Sequence, residues 1–313
     1  MQYDPGMKPL DFDRGPNLSA RPRQAGLTRR SLILGGAGLT ALLGPATAAY
    51  AGIEAAHALQ VTRYRLTPPT WHAGHRLSVT VIADLHAGGP NMGLARIRDV
   101  VDVANLLRSD LVVLLGDYFA THRFITEVVP AGAWARELAR LQAPLGVHAI
   151  LGNHDWWHDI GNTRAAFADV KIPVLENDAL LLGAPGAKFW LVGLGDQLAY
   201  KISPHNFRGI DDLPGTLKRI NTDDPVILLA HEPDIFPKVP DRVALTLCGH
   251  THGGQIRIPF LWEHFVPSIY GARYAYGHII EDGRHMIVSG GLGTSGIPAR
   301  LGVQPEILRI DIG

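Results

Sequence analysis

The chain has 313 residues, 46% of them hydrophobic and 19% charged, with 29 Lys and Arg balancing 29 Asp and Glu. That composition excludes wholesale disorder and supplies no basic excess, so no nucleic-acid footprint is expected. The single cysteine, Cys248, excludes an internal disulfide.

Residues 1–27 are polar, rich in Pro, Gly and Arg, and without apolar period, which reads as a disordered N-terminus. Arg29 and Arg30 then precede an apolar run, Leu32 to Leu43, followed by small residues. Ala46-Thr47-Ala48 and Ala49-Tyr50-Ala51 both fit a small-x-small cleavage site, so the stretch to residue 51 has the three-part layout of an export signal. The twin arginine with Ser31, Leu32 and Ile33 resembles a Tat signal, an address read by the Tat export machinery. The expected destination is the periplasm or cell envelope. The run is short and weakened by Gly35, Gly36, Gly38 and Gly44, which disfavours a permanent span and leaves an uncleaved signal as the alternative anchor.

Residues 52–313 read as one domain, without repeats or a dividing linker. Apolar strand-like runs recur at Leu77–Ala83, Asp110–Leu115, Gly146–Leu151, Phe189–Leu194, Val226–Ala230 and Val243–Leu247. Ile97, Val100, Val101, Ala104 and Leu107 share one helical face, and Trp134, Leu138 and Leu141 form a second stripe. Thr163 reads as the N-cap of a short helix over Arg164–Val170. Strand-rich sequence follows at Tyr274–Ile280, His285–Ser289 and Ile307–Ile312. Continuous apolar strands alternating with helices imply a parallel sheet buried on both faces, and the late strands imply a second, more mixed sheet packed on it.

The residues that end these strands are the main clue to function. The first run ends in Asp84-Leu85-His86, the second in Gly116-Asp117 and the third in Gly152-Asn153-His154-Asp155. Two later runs end in His231 and in Gly249-His250-Thr251-His252. Ligands in open α/β sheets collect beyond the carboxyl ends of strands. One polar loop end is an ordinary solvated turn, but five in register point to a shared centre, with glycines that let backbone approach a ligand closely.

This ordered set resembles the calcineurin-like metallophosphoesterases over roughly residues 77–255. The tail "GGLGTSGIPARLGVQPEILRI" and Gly253-Gly254-Gln255 are similar to the bacterial YkuE/YaeI-type branch. The resemblance implies an α/β fold of two packed mixed β-sheets flanked by helices, a four-layer α/β/β/α sandwich. It also implies two metal ions, one held by Asp84, His86 and His252, the other by Asn153, His231 and His250, with Asp117 bridging. His154 would stay unligated beside the leaving group as general acid, oriented by Asp155. Mixed imidazole and carboxylate donors suit Zn, Mn, Fe or Ni. Two such ions ~3.5–4 Å apart activate a water as hydroxide and clamp the entering and leaving oxygens of a phosphoester. Purple acid phosphatases place a Tyr ligand three residues after the bridging Asp; Ala120 stands there, so no tyrosinate-ferric chromophore is expected. The expected activity is that of a dinuclear-metal phosphoesterase, a phosphodiesterase or pyrophosphatase. A non-catalytic metal-binding scaffold predicts lost ligands, and a mononuclear site using only His250 and His252 leaves Asn153-His154-Asp155 unexplained.

Other features are less specific. Trp156-Trp157-His158 reads as a core or rim cluster, and Cys248 as a buried small hydrophobe. Arg300 fits phosphate binding or a surface ion pair equally. The stretch "IPFLWEHFVPSIYGARYAYG" packs over the second sheet or forms an apolar lip for a lipid-linked phosphoester or a peripheral membrane contact.

Overall fold

The computed structural model describes Gly52 and residues 58–313; the disordered N-terminus and the export signal expected over residues 1–51 lie outside the described residues. A five-stranded sheet has the order β1 (Gln60–Leu66), β13 (Glu306–Ile312), β2 (Leu77–Ile82), β3 (Leu111–Leu114), β4 (Val147–Ala149). A six-stranded sheet has the order β11 (Gly277–Glu281), β12 (Arg284–Val288), β10 (Val243–Cys248), β9 (Val226–Leu229), β6 (Phe189–Gly193), β5 (Asp178–Leu182). Both are mixed. β2, β3 and β4 run parallel, as do β6, β9, β10 and β12, whereas β13 is antiparallel to β2, and β5 and β11 are antiparallel edges.

Alternation along each strand sorts side chains into three apolar layers. From β2 and β3, Val79, Val81, Leu111 and Val113 face Leu191, Ile227, Leu229, Leu245 and Leu247 of the other sheet. The opposite face of the first sheet, with Ile82, Val112 and Leu114, packs on helices α1 (Leu94–Leu106), α2 (Ala131–Leu138) and α4 (Ile160–Asp169) through Ile97, Val101, Trp134 and Phe167. The outer face of the second sheet packs Val192, Leu228 and Val288 on Leu213, Phe236 and Tyr274. Full burial of each such side chain contributes roughly 1.5–3 kcal/mol. Strands buried on both faces explain the near-continuous apolar runs in the sequence.

Three expectations change, and one element is new. β13 completes the first sheet, between β1 and β2, and not the second. Thr163 lies inside α4: Asp159 is the N-cap, its carboxylate accepting from the Asn162 N–H at 3.0 Å, while the Thr163 hydroxyl donates to the Asp159 carbonyl. Tyr274 closes a 3-10 turn, Gly271–Tyr274, and the strand starts at Gly277. A small hairpin, β7 (Tyr200–Ser203) and β8 (Asn206–Arg208), joins neither large sheet. Among the described residues no helix is long and apolar enough to cross a membrane.

Candidate metal centre

All seven residues expected to hold metal converge. Asp84 and His86 follow β2, Asp117 follows β3, and Asn153 opens helix α3 (Asn153–His158) after β4. His231 follows β9, and His250 and His252 follow β10. The carboxyl ends of the parallel strands of both sheets therefore meet at one place. Ligand atoms of Asp84, His86 and His252 lie within 4.8 Å of one another, as do those of Asp117, His231 and His250. Asn153 Oδ1 lies 2.9 Å from His250 Nδ1, which adds the amide to the second group. Close approach explains two of the glycines. A Cβ on Gly249 would meet Asp84 Oδ2 at 2.5 Å, and one on Gly152 would meet His231 Cε1 at 2.8 Å.

The hydrogen bonds behind the cluster fix what its atoms offer. His86 Nδ1–H donates to the Phe119 carbonyl at 2.9 Å, and His231 Nδ1–H to the Leu115 carbonyl at 2.6 Å. A carbonyl only accepts, so each neutral ring presents a bare Nε2 lone pair to the centre. Asp117 Oδ2 lies 3.5 Å from His86 Nε2 and 3.3 Å from His231 Nε2. Asp117 Oδ2 and His231 Nε2 are buried and have no hydrogen-bond partner. Buried polar atoms are almost always paired. Imidazole and carboxylate donors converging in a buried site, two of them without a partner, are the donor set of a cation site, so these residues fit a pair of transition-metal ions.

Electrostatics agree. Burial, reinforced by the nearby Asp117 charge, pushes the Asp84 carboxyl up to about 7 against the pull of His231. Burial also drives His86 down to about 3, with Asp117 opposing. Burial disfavours charge on His231 as well, but the Asp117 carboxylate 3.3 Å away, with Glu232 and Asp84, outweighs it and holds this ring well above its ordinary value, so without a cation a proton on Nε2 supplies the positive charge that a metal ion would bring. Carboxylates crowded in low dielectric favour a cation between them.

The structure relocates Asp155. Its Oδ2 accepts the N–H groups of Asp117 and Gly152, both at 2.9 Å, and its Oδ1 accepts that of Tyr118 at 2.8 Å. It pins the Asp117 loop to the start of α3 and does not orient His154. The His154 Nδ1 pairs instead with the Thr121 hydroxyl, and its Nε2 faces Ser295 Oγ at 3.5 Å and Asp117 Oδ2 at 3.9 Å. Burial lowers the His154 pKa, with Asp117 opposing, where a carboxylate partner would have raised it.

Thr121 and Ser295 escaped the sequence reading because a lone hydroxyl in a loop carries no spacing signal. Arg300 is neither a phosphate ligand nor a surface ion pair. It is fully buried, donates to the carbonyls of Gly290 and Gly293, and its Nη2 lies 3.3 Å from His252 Nδ1. It braces the loop after β12 against the ligand loop. Cys248 is buried, as expected. A cleft of about 740 Å3 beside Arg108, Leu145 and Lys171 lies at the opposite, amino ends of β3 and β4 and plays no part in the cluster.

Residues 77–254 match the family described as calcineurin-like phosphoesterase. The chain belongs to this family. The metallophosphoesterase YkuE of Bacillus subtilis, itself uncharacterized, is 34% identical over 223 residues, 68% of this chain and 71% of that protein. Phosphodiesterase YaeI of Escherichia coli is 31% identical over 241 residues, 75% of this chain and 81% of that protein. A bovine transmembrane protein with a metallophosphoesterase domain is 28% identical over 264 residues, 80% of this chain. This chain spans only 55% of the length of that relative.

Proposed function

We propose that the protein is a dinuclear-metal phosphoesterase acting on a phosphodiester or phosphoric anhydride. The observation that carries this reading is the buried set of imidazole and carboxylate donors converging around Asp117 Oδ2 and His231 Nε2, neither of which has a hydrogen-bond partner. Asp84, His86 and His252 would hold one ion, Asn153, His231 and His250 the other, and Asp117 would bridge. Two such cations supply Lewis-acid charge for the phosphoryl oxygens and lower the pKa of a water.

The chain's own residues do the rest. His154 is the only imidazole of the cluster with appreciable exposure, 17% of its side chain. As general acid the ring would carry a proton on each nitrogen, Nδ1–H donating to Thr121 Oγ1 and Nε2–H passing to the departing oxygen as the P–O bond breaks; burial lowers its pKa, so the negative charge of the bound phosphoester would have to hold that second proton in place. The bond to Thr121 is the same before and after that transfer, so the ring keeps its aim. Neutralising the leaving oxygen contributes typically 10²–10⁴-fold. His154→Ala should therefore retain both metals and lose on that order with a poor, alkoxide-like leaving group, and much less with nitrophenolate. Equal loss on both substrates removes the general-acid role, and loss of metal makes His154 a ligand. A scaffold without catalysis would turn over no member of a phosphoester panel.

The substrate side of the proposal is a lipid-linked phosphoester reached from a membrane surface. Phe260 is 96% and Ile269 82% exposed, beside the exposed Leu261 and Phe265. Trp262 anchors this segment directly on the ligand loop, packing on Gly254 and under the Arg257 guanidinium. Exposed apolar patches of this kind mark contact surfaces. Export by the Tat machinery to the periplasm or cell envelope, with an uncleaved signal as the alternative anchor, is proposed on Arg29, Arg30 and the apolar run behind them.

A further inference from the structure

Two tryptophans directly follow the proposed general acid, and the hairpin β7–β8 is fastened to both. Cross-strand register pairs Tyr200 with Arg208 and Lys201 with Phe207. The first pair serves Trp156: Tyr200 meets that ring at 5.2 Å, and the Arg208 guanidinium covers Tyr200 at 4.6 Å. The second pair serves Trp157: Phe207 stacks on it at 5.3 Å and 20°, and Lys201 Nζ lies 5.4 Å from its centre. Trp157 in turn lies 5.3 Å from the His154 ring and is fixed by donating to the Leu198 carbonyl. The hairpin is thus held one tryptophan ring away from the atom that would protonate the leaving group.

The composition of this hairpin is one-sided. "YKISPHNFR" carries Lys201, Arg208 and His205 and no carboxylate. Lys201 is exposed and rests against an aromatic ring.

We infer that Lys201, held over Trp157 by the β7–β8 hairpin, forms a leaving-group subsite selecting substrates whose departing half carries its own negative charge, as in a phosphoric anhydride diester. This rests on the phosphoesterase reading and names the substrate class within it. The attacked phosphoryl group would occupy the ligand cluster, His154 would face the bridging oxygen, and Lys201 would meet the second phosphate. A neutral alcohol or phenol leaves nothing for that ammonium to bind.

The test compares kcat/KM of the metal-loaded full chain on ADP-ribose, whose leaving half is a phosphate, and on bis(p-nitrophenyl) phosphate, whose leaving half is not. Lys201→Ala should lower the ADP-ribose to bis(p-nitrophenyl) phosphate ratio about fivefold, the size of one partly exposed charge contact, mainly through KM. Lys201→Glu should lower it further, and Lys201→Arg should restore it. Added salt should lower the ratio in the parent protein and much less in Lys201→Ala. An unchanged ratio in both Lys201→Ala and Lys201→Glu overturns the subsite, even if both variants melt earlier from loss of the cation–π contact. If the parent protein hydrolyses neither substrate nor any other phosphoester, the broader reading fails instead.

Discussion

Asp155 is the sharpest place to test how the metal loop is held. Its two oxygens take three backbone N–H groups, from Asp117, Tyr118 and Gly152, in a fully buried site. Asp155→Asn keeps the shape. The amide oxygen can still accept from Asp117 and Gly152, but the NH2 then faces the Tyr118 N–H, donor against donor. One buried N–H is stranded, which costs about 1–3 kcal/mol. Asp155→Ala strands all three, about 3–5 kcal/mol after partial relief by water. Domains of this kind are stable by about 5–15 kcal/mol, so the asparagine variant should fold and the alanine variant should approach the threshold. Urea unfolding of the chelated protein, followed by tryptophan fluorescence, reads the order parent, Asn, Ala. Metal content should fall in the same order, because the released backbone carries the bridging Asp117. Turnover should fall alike on alkoxide and nitrophenolate leaving groups. If Asp155→Asn instead keeps stability and metal and loses activity only with the alkoxide, Asp155 acts through His154 and the clamp is wrong.

Other outcomes follow from the same geometry. Asp117→Ala should lose both metal ions, read by elemental analysis, since its carboxylate faces histidines of both groups; retention of one ion would deny the bridge. Phe260→Ser with Ile269→Ser should reduce binding to phospholipid vesicles while sparing a small chromogenic ester, and parallel loss on both would make the lip part of the core. His278 Nε2 and His285 Nδ1 are 3.0 Å apart, and burial lowers both pKa values, with His285 adding to the effect on His278. Their folded pKa values lie below the ordinary 6.5, so the unfolded chain binds more protons and stability present above about pH 6.5 is lost as pH falls below it. Replacing both with Gln should flatten the slope of Tm between pH 7.5 and 5.5, and an unchanged slope removes the pair from the account. Arg29→Lys with Arg30→Lys should trap the precursor in the cytoplasm, and continued export would exclude the Tat route.

Legibility in the sequence tracked burial. β2, β3, β6, β9 and β10 are covered on both faces and stood out as apolar runs. The edge strand β1 and the hairpin β7–β8 are half-buried or exposed, and their mixed sequences gave no run to find; the short apolar run Ala179–Leu182 of edge strand β5 was passed over. Sheet membership was not legible for β13, because both its partners, β1 and β2, lie at the other end of the sequence. The ligands were legible because each directly follows an apolar strand, so sequence position alone places them at the carboxyl edge. Asp155 was misread for the opposite reason: its partners are backbone N–H groups, which carry no residue signature, whereas the neighbouring His154 was a visible but wrong candidate.

The backbone explains why glycine accompanies these ligands so faithfully. Asp84, His86, Asp117, His250 and His252 all have positive φ, between 44° and 69°. A non-glycine residue there costs roughly 1–2 kcal/mol, so five together approach the whole stability of an ordinary domain. No single loop can hold that strain. Here the loops tie strand ends together: Asp84 N–H donates to the Gly116 carbonyl, His86 N–H to the Asp117 carbonyl, Gly249 N–H to the His231 carbonyl and Gly293 N–H to the Asp84 carbonyl. The second and third layers of the fold bury the strands that carry those ends. Asn153 and His231 reach the same centre without positive φ, so the strain is confined to five of the seven ligands. Glycines at 152 and 249 clear the space that such convergence needs. The sandwich thus ties the ligand loops to one another through its strand ends. A rigid sheet scaffold with strained ligands at its rim is how strain at a functional site persists.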